Sequence, residues 1–203
     1  MNISRVKANL AGRNSRPAHV VLSLVLMASL SVALLAAYLP NANTLAATTN
    51  LVKNASFEKD SNGDGVPNNW NGSNLTPADK RVCNKSYVGS CSFKMIPNAS
   101  QAELYQFIAV SGDAGDQFTF SAWTLTKDID LAAGGIAGYL QINLTGGGTS
   151  FQQFEIPAGT SPWTLRQVSV TASADFDSIY VGLVSGATSG KVWFDKLKLV
   201  ELP

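Results

Sequence analysis

Histidine is almost missing from this chain of 203 residues: the one copy, His19, lies near the N-terminus. Everything after it lacks the side chain that acts as general base near neutral pH and as ligand to zinc or iron. Ser-His-Asp and Cys-His catalysis and histidine-held metals are therefore excluded there. Charge is sparse as well. Charged residues make up 14% of the sequence, well short of the usual quarter, and 15 Lys plus Arg nearly balance 14 Asp plus Glu. That balance excludes a nucleic-acid binder built on net positive charge and a disordered polyelectrolyte. No stretch after the N-terminal segment keeps an apolar stripe at helical spacing, which leaves a β-rich globule.

Acidic side chains are absent before Glu58, whereas Arg5, Lys7, Arg13 and Arg16 precede a mostly apolar run from Val20 to Leu39. Basic residues followed by an apolar run have the form of a secretory signal peptide or an uncleaved N-terminal anchor. The length of the run favours an anchor; the small residues around Thr44, Leu45 and Ala46 suit a signal peptidase. Either way, residues 1–46 form a targeting segment and residues 47–203 a single domain expected to be secreted or extracellular. Membrane contact is then expected only through an uncleaved N-terminal segment. In that domain 11 basic side chains face 14 acidic ones, a formal charge of −3.

Cys83 and Cys91 are the only cysteines. In an oxidising compartment a disulfide closing this small loop is expected, contributing about 2 to 3 kcal/mol on the chain-entropy model. A metal site would need more soft ligands nearby, and a catalytic thiol would need a base that the domain lacks.

Short alternating runs broken by Gly, Asn, Asp and Pro predict nine strands. They are Leu51 to Glu58, Ser92 to Ile96, Ala102 to Val110, Gln117 to Thr126, Ala137 to Thr145, Ser150 to Ile156, Thr164 to Thr171, Ser178 to Ser185 and Val192 to Leu202. Gly-rich stretches at 112–115, 146–148 and 186–190 supply the reversals. Nine such strands suit an all-β, two-sheet antiparallel sandwich of the jelly-roll kind.

Asp60-Ser61-Asn62-Gly63-Asp64-Gly65 matches D-x-[DN]-x-[DN]-G, in which Asp60, Asn62 and Asp64 could converge on calcium. It is not an EF-hand, because Asn71 stands at the twelfth position where a bidentate Glu belongs. The same residues alone make a solvated Asx turn.

Four stretches, taken in order, carry a resemblance: Asn50 to Glu58, Asp64 to Trp70, Phe118 to Trp123 and Lys191 to Leu197. Together they resemble the carbohydrate-binding modules of the family 4, 9 and 22 type, over the whole domain. The resemblance implies a jelly roll that binds polysaccharide chains without catalysis, and a structural calcium on Glu58 and Asp195. Lys196 stands where a second Asp is common, which removes one carboxylate. Otherwise Glu58 and Asp195 are strand-end carboxylates, solvated or paired with Lys53, Lys59 or Lys196.

A sugar site in water needs aromatic faces and amide or carboxyl groups. Strand parity puts Trp123, Tyr139, Gln141, Asn143 and Tyr180 on the side of their strands opposite the aliphatic and Phe residues. These five are the candidate glycan-binding residues; the alternative is that Trp123 and Tyr180 are ordinary packing at an edge or under a loop. Trp163 and Trp193 are expected inside the sandwich, and Trp70 is undecided between rim and plug. A glycosidase needs two paired carboxylates, and no E-x-D-x-E pattern occurs, so no enzyme activity is expected. The remaining class is a structural or adhesive extracellular sandwich contacting protein or cell wall. Glycan, not nucleic acid, is the expected partner.

Overall fold

The structure is a computed structural model that describes residues 49–97, 101–132, 134–186 and 189–203. The targeting segment expected at 1–46, and the boundary after it, lie outside the described residues. Among the described residues no helix is long and apolar enough to cross a membrane.

Ten strands follow in chain order: β1 (Asn71–Ser73), β2 (Lys80–Val82), β3 (Ser92–Met95), β4 (Ala102–Ile108), β5 (Gln117–Asp130), β6 (Ile136–Leu144), β7 (Thr149–Ile156), β8 (Gly159–Thr171), β9 (Phe176–Ser185) and β10 (Ser189–Leu202). They make two five-stranded sheets. The first has the order β1-β4-β9-β6-β7 and the second β2-β3-β10-β5-β8, with every pairing antiparallel. The expected all-β two-sheet sandwich is the observed architecture.

Period-two alternation drives the assembly. In β5 Phe118, Phe120 and Ala122 are buried while Thr119, Ser121 and Trp123 are half-buried on the other side. β6 sends Leu140 and Ile142 inward, β9 Ile179, Val181 and Leu183, and β10 Val192, Phe194, Leu197 and Leu199. These side chains meet between the sheets, and each fully buried one is worth about 1.5 to 3 kcal/mol in area removed from water. Thr124 and Thr126 also point inward, but their hydroxyls are satisfied by Thr164 O at 3.2 Å and Ser161 Oγ at 3.0 Å.

The first expected strand, Leu51 to Glu58, is not a strand. Asn54 (φ 49°) and Phe57 (φ 55°) adopt left-handed backbone, which breaks extended pairing. Two backbone bonds to β10 remain, Leu51 N to Leu199 O (2.9 Å) and Leu197 N to Ala55 O (2.8 Å), and side chains supply the rest. The buried Gln106 amide accepts from Lys53 N (2.8 Å) and donates to Lys53 O (2.9 Å) and Asn69 O (3.0 Å). Asn50 donates to Leu197 O and accepts from Leu199 N, both at 2.9 Å. β1 and β2, three residues each, carry no apolar alternation and are not foreseen by the sequence reading.

Trp70 is a plug. It is buried, its ring lies 5.4 Å from that of Phe57, and its indole N–H donates to Asn54 O at 3.4 Å.

Candidate functional site

On the outer side of the first sheet the registers align side chains in rows that run across four strands. Glu103, Val184, Ala137 and Glu155 form one row; Tyr105, Gly182, Tyr139 and Gln153 the next; Phe107, Tyr180, Gln141 and Phe151 the third. Successive rows are about 7 Å apart along the strands. Two adjoining hollows of about 380 and 330 Å³ lie over these rows and share Ser73, Glu103, Tyr139 and Gln141.

Five aromatic rings stand on this face. Phe107 is 50% exposed and Phe151 45%. Tyr180 lies 5.2 Å edge-on to Phe107 and 6.1 Å from Tyr105, and Tyr139 lies 5.8 Å from Phe151. Tyr139 crosses Gly182 and donates its hydroxyl to Glu103 Oε1. A Cβ on Gly182 would fall 2.3 Å from Tyr139 Cε1, so the bare glycine is what lets the ring lie down. Burial, and then the hydrogen bond to Glu103, push the Tyr139 phenol well above its ordinary pKa.

The polar groups form chains. Gln141 Nε2 donates to Asn143 Oδ1 (2.8 Å), Asn143 Nδ2 to Ser178 Oγ (3.0 Å), and Gln153 Nε2 to Glu155 Oε1 (2.7 Å). Each donated bond holds an amide in place, and the Oε1 atoms of Gln141 and Gln153 are acceptors by chemistry. Among the described strand residues on this side of the sheet, none is basic.

The structure thus brings Tyr139, Gln141, Asn143 and Tyr180 together, but not Trp123. That residue is on β5, in the other sheet, so it stands on the opposite outer face of the sandwich. Sequence reasoning also missed Tyr105 and Phe107 on β4 and Phe151 on β7, although their own alternation signals them: Glu103, Tyr105 and Phe107 share one parity, and so do Phe151, Gln153 and Glu155.

Trp123 lies under a flap. Cys83 and Cys91 are bridged, and the loop between them folds over the second sheet, stacking Tyr87 on Trp123 at 3.8 Å and 11°. Trp163 is 5.9 Å from the Tyr87 ring, and Lys196 Nζ is 5.6 Å from its centroid. Trp163 and Trp193 are therefore outside the sandwich, contrary to the expectation that they pack within it. Trp193 is buried, but on the outer side of β10 between the core residues Val192 and Phe194, where Lys85 covers it with Nζ 4.8 Å from the ring centroid.

Both carboxylates of the candidate metal pair hold this flap. Asp195 Oδ2 accepts from Tyr87 N (2.6 Å) and Val88 N (2.9 Å), and its Oδ1 from Lys196 N (2.6 Å). Glu58 Oε1 accepts from Ser90 N (2.9 Å) and Cys91 N (3.1 Å). Burial pushes the Asp195 carboxyl above the usual carboxylate range and the charge of Glu58 adds to that; the three N–H groups oppose it. Two neighbouring, mutually repelling carboxylates with lone pairs left on Glu58 Oε2 and Asp195 Oδ1 fit a divalent cation. Asp60, Asn62 and Asp64 fit one less well, because they are spent on their own turn. Gly63 N and Gly65 N donate to Asp60, Val66 N and Asn62 Nδ2 to Asp64. Among the described residues no three His, Cys, Asp or Glu side chains group as a metal site, so further ligands to a cation would be carbonyl groups or water.

No protein-family model and no curated protein matches the sequence. Solved structures do match in fold. A family 61 carbohydrate-binding module in complex with β-1,4-galactotriose is 18% identical, with a TM-score of 0.54, and the match covers 76% of this chain and 100% of that one. A family 22 xylan-binding domain from Paenibacillus barcinonensis is 14% identical, with a TM-score of 0.51, over 76% of this chain and 95% of that one. The enzymatically active domain of a tailspike protein from bacteriophage CBA120 is 15% identical, with a TM-score of 0.57; the match covers 75% of this chain but only 21% of the tailspike chain. The chain has the fold of carbohydrate-binding modules, and no single family among them is singled out.

Proposed function

We propose that this protein is a non-catalytic, exported module that binds a polysaccharide chain across the outer face of its first sheet. The observation that carries the reading is the pair of in-register rows Tyr105, Gly182, Tyr139, Gln153 and Phe107, Tyr180, Gln141, Phe151, whose Tyr105, Tyr139, Gln153, Tyr180, Gln141 and Phe151 line two joined hollows. Rings offer flat apolar surface to the C–H side of a pyranose, while Gln141, Asn143, Gln153 and Glu103 meet its hydroxyls. The lack of basic side chains suits a neutral chain, and the fold neighbours named with galactotriose and xylan support that class.

Geometry also supports the non-catalytic reading. Glu103 and Glu155 share a row but stand three strand spacings apart, about 14 Å, beyond the roughly 5 to 9.5 Å that separates the carboxyls of a glycosidase. Glu103 is, besides, engaged by Tyr139. A calcium on Glu58 and Asp195 would be structural on this reading, tying the flap to the second sheet.

The test is retention of the purified domain on a panel of neutral polysaccharides, including xylan and β-1,4-galactan. Phe107 and Phe151 are about half exposed, so replacing either with Ala leaves the core intact. Each substitution is expected to weaken binding about tenfold, or about 1.4 kcal/mol. Unchanged retention in both variants would reject the face.

A further inference from the structure

The two outer faces of the sandwich differ in charge. On the second sheet Lys80 of β2 stands directly opposite Lys94 of β3, and Lys191 of β10 directly opposite Lys127 of β5. Lys94 is also opposite Trp193, two residues from Lys191, so the two lysine pairs are diagonal neighbours on one face. Like charges directly opposed across an antiparallel ladder destabilise it, and here two such pairs adjoin. Lys94 registers the crowding: burial lowers its pKa, and Lys80 and Lys191 lower it further, against a smaller opposing effect of Asp79. Asp79 is committed elsewhere, its oxygens accepting from Thr76 N, Thr76 Oγ1 and Ile96 N.

An arrangement that costs stability in the free protein gains it when a partner supplies the opposite charge. The four ammonium groups span four adjacent strands, about 14 Å at about 4.8 Å per spacing. We infer that this band binds a linear polysaccharide bearing carboxylate or sulfate groups, laid across β2, β3, β10 and β5. A line of charges suits a linear polyanion better than a bilayer. Nucleic acid is disfavoured because arginine, the planar reader of phosphate, is absent from the band and the domain carries 11 basic against 14 acidic side chains. The two tryptophans beside it are covered, Trp193 by Lys85 and Trp123 by Tyr87. Charge does the holding, so the binding falls with salt.

The experiment is affinity electrophoresis of the full domain with polygalacturonate and with dextran sulfate, which separate carboxylate from sulfate, beside neutral xylan, duplex DNA and phosphatidylserine vesicles. Binding to one or both polyanionic glycans is expected at about 20 mM salt and is expected to be lost by about 500 mM. The double variant K94Q/K191Q should bind at least about tenfold more weakly while melting no lower than the parent, because it relieves like-charge repulsion. Absence of binding at low salt, or binding that the double variant leaves unchanged, would overturn the inference. So would DNA or vesicles binding as tightly as either glycan. Loss of neutral-glycan binding in Phe107→Ala or Phe151→Ala bears on the other face alone, so the two readings fail separately.

Discussion

Gly182 and Tyr139 decide together whether the first sheet has a usable face. The ring occupies the space a Cβ would take, and its hydroxyl is held by Glu103. Gly182→Ala should lift the ring and weaken glycan retention to the level of Phe151→Ala, with little change in fold. The same contact has an alkaline signature. The folded pKa of Tyr139 is raised above the unfolded value near 10, so the native state keeps a proton that the unfolded state loses. Its contribution to stability is complete below about pH 10 and declines as pH rises beyond. Ultraviolet titration should count the same number of phenolates before unfolding in the parent and in Tyr139→Phe; one fewer in the variant would show that Tyr139 titrates in the native state.

The flap closed by Cys83 and Cys91 is the element that settles Trp123. Stacked under Tyr87, Trp123 supports the flap and lies on the side of the sandwich away from the rows of Tyr139 and Tyr180. Trp123→Ala is expected to cost about 1 to 3 kcal/mol in thermal or denaturant unfolding while leaving neutral-glycan retention intact; lost retention with an unchanged melting curve would return Trp123 to the binding site. Parity explains why the sequence misleads here. Trp123 and Tyr139 each point away from the buried side of their own strand, and alternation reports that much for both. It says nothing about which sheet a strand joins, and β5 and β6 join different ones. β5, β6 and β9 were legible because Phe118 and Phe120, Leu140 and Ile142, and Ile179, Val181 and Leu183 recur at every second position. The Leu51 to Glu58 segment has similar alternation, yet Asn54 and Phe57 turn left-handed and Gln106 replaces a strand partner, a long-range substitution that no local pattern shows.

At the scale of the whole molecule, Glu58 and Asp195 connect the irregular first segment, the flap and the last strand. With calcium bound there at 100 times its dissociation constant, the folded state would gain about 2.7 kcal/mol, so exhaustive chelation should lower the melting temperature by several degrees. An unchanged curve would dismiss the cation. Acid distinguishes the two states of the site. Without metal, the folded pKa of Asp195 lies above the unfolded value near 3.9, so the native state takes up the proton first and this group's contribution to stability rises as pH falls through that window. With calcium the carboxylate is held ionised, and the trend reverses. Melting curves from pH 7 to about 4, with calcium and with chelator, should cross in slope, and Asp195→Asn should flatten both.

The lysines that crowd the second sheet face away from the side carrying Glu103 and Glu155. The two outer surfaces therefore differ in chemistry, one carrying opposed lysines and the other rings, carboxamides and carboxylates. If both proposed faces bind, one molecule would act as a cross-link, joining an acidic chain on one side to a neutral chain on the other.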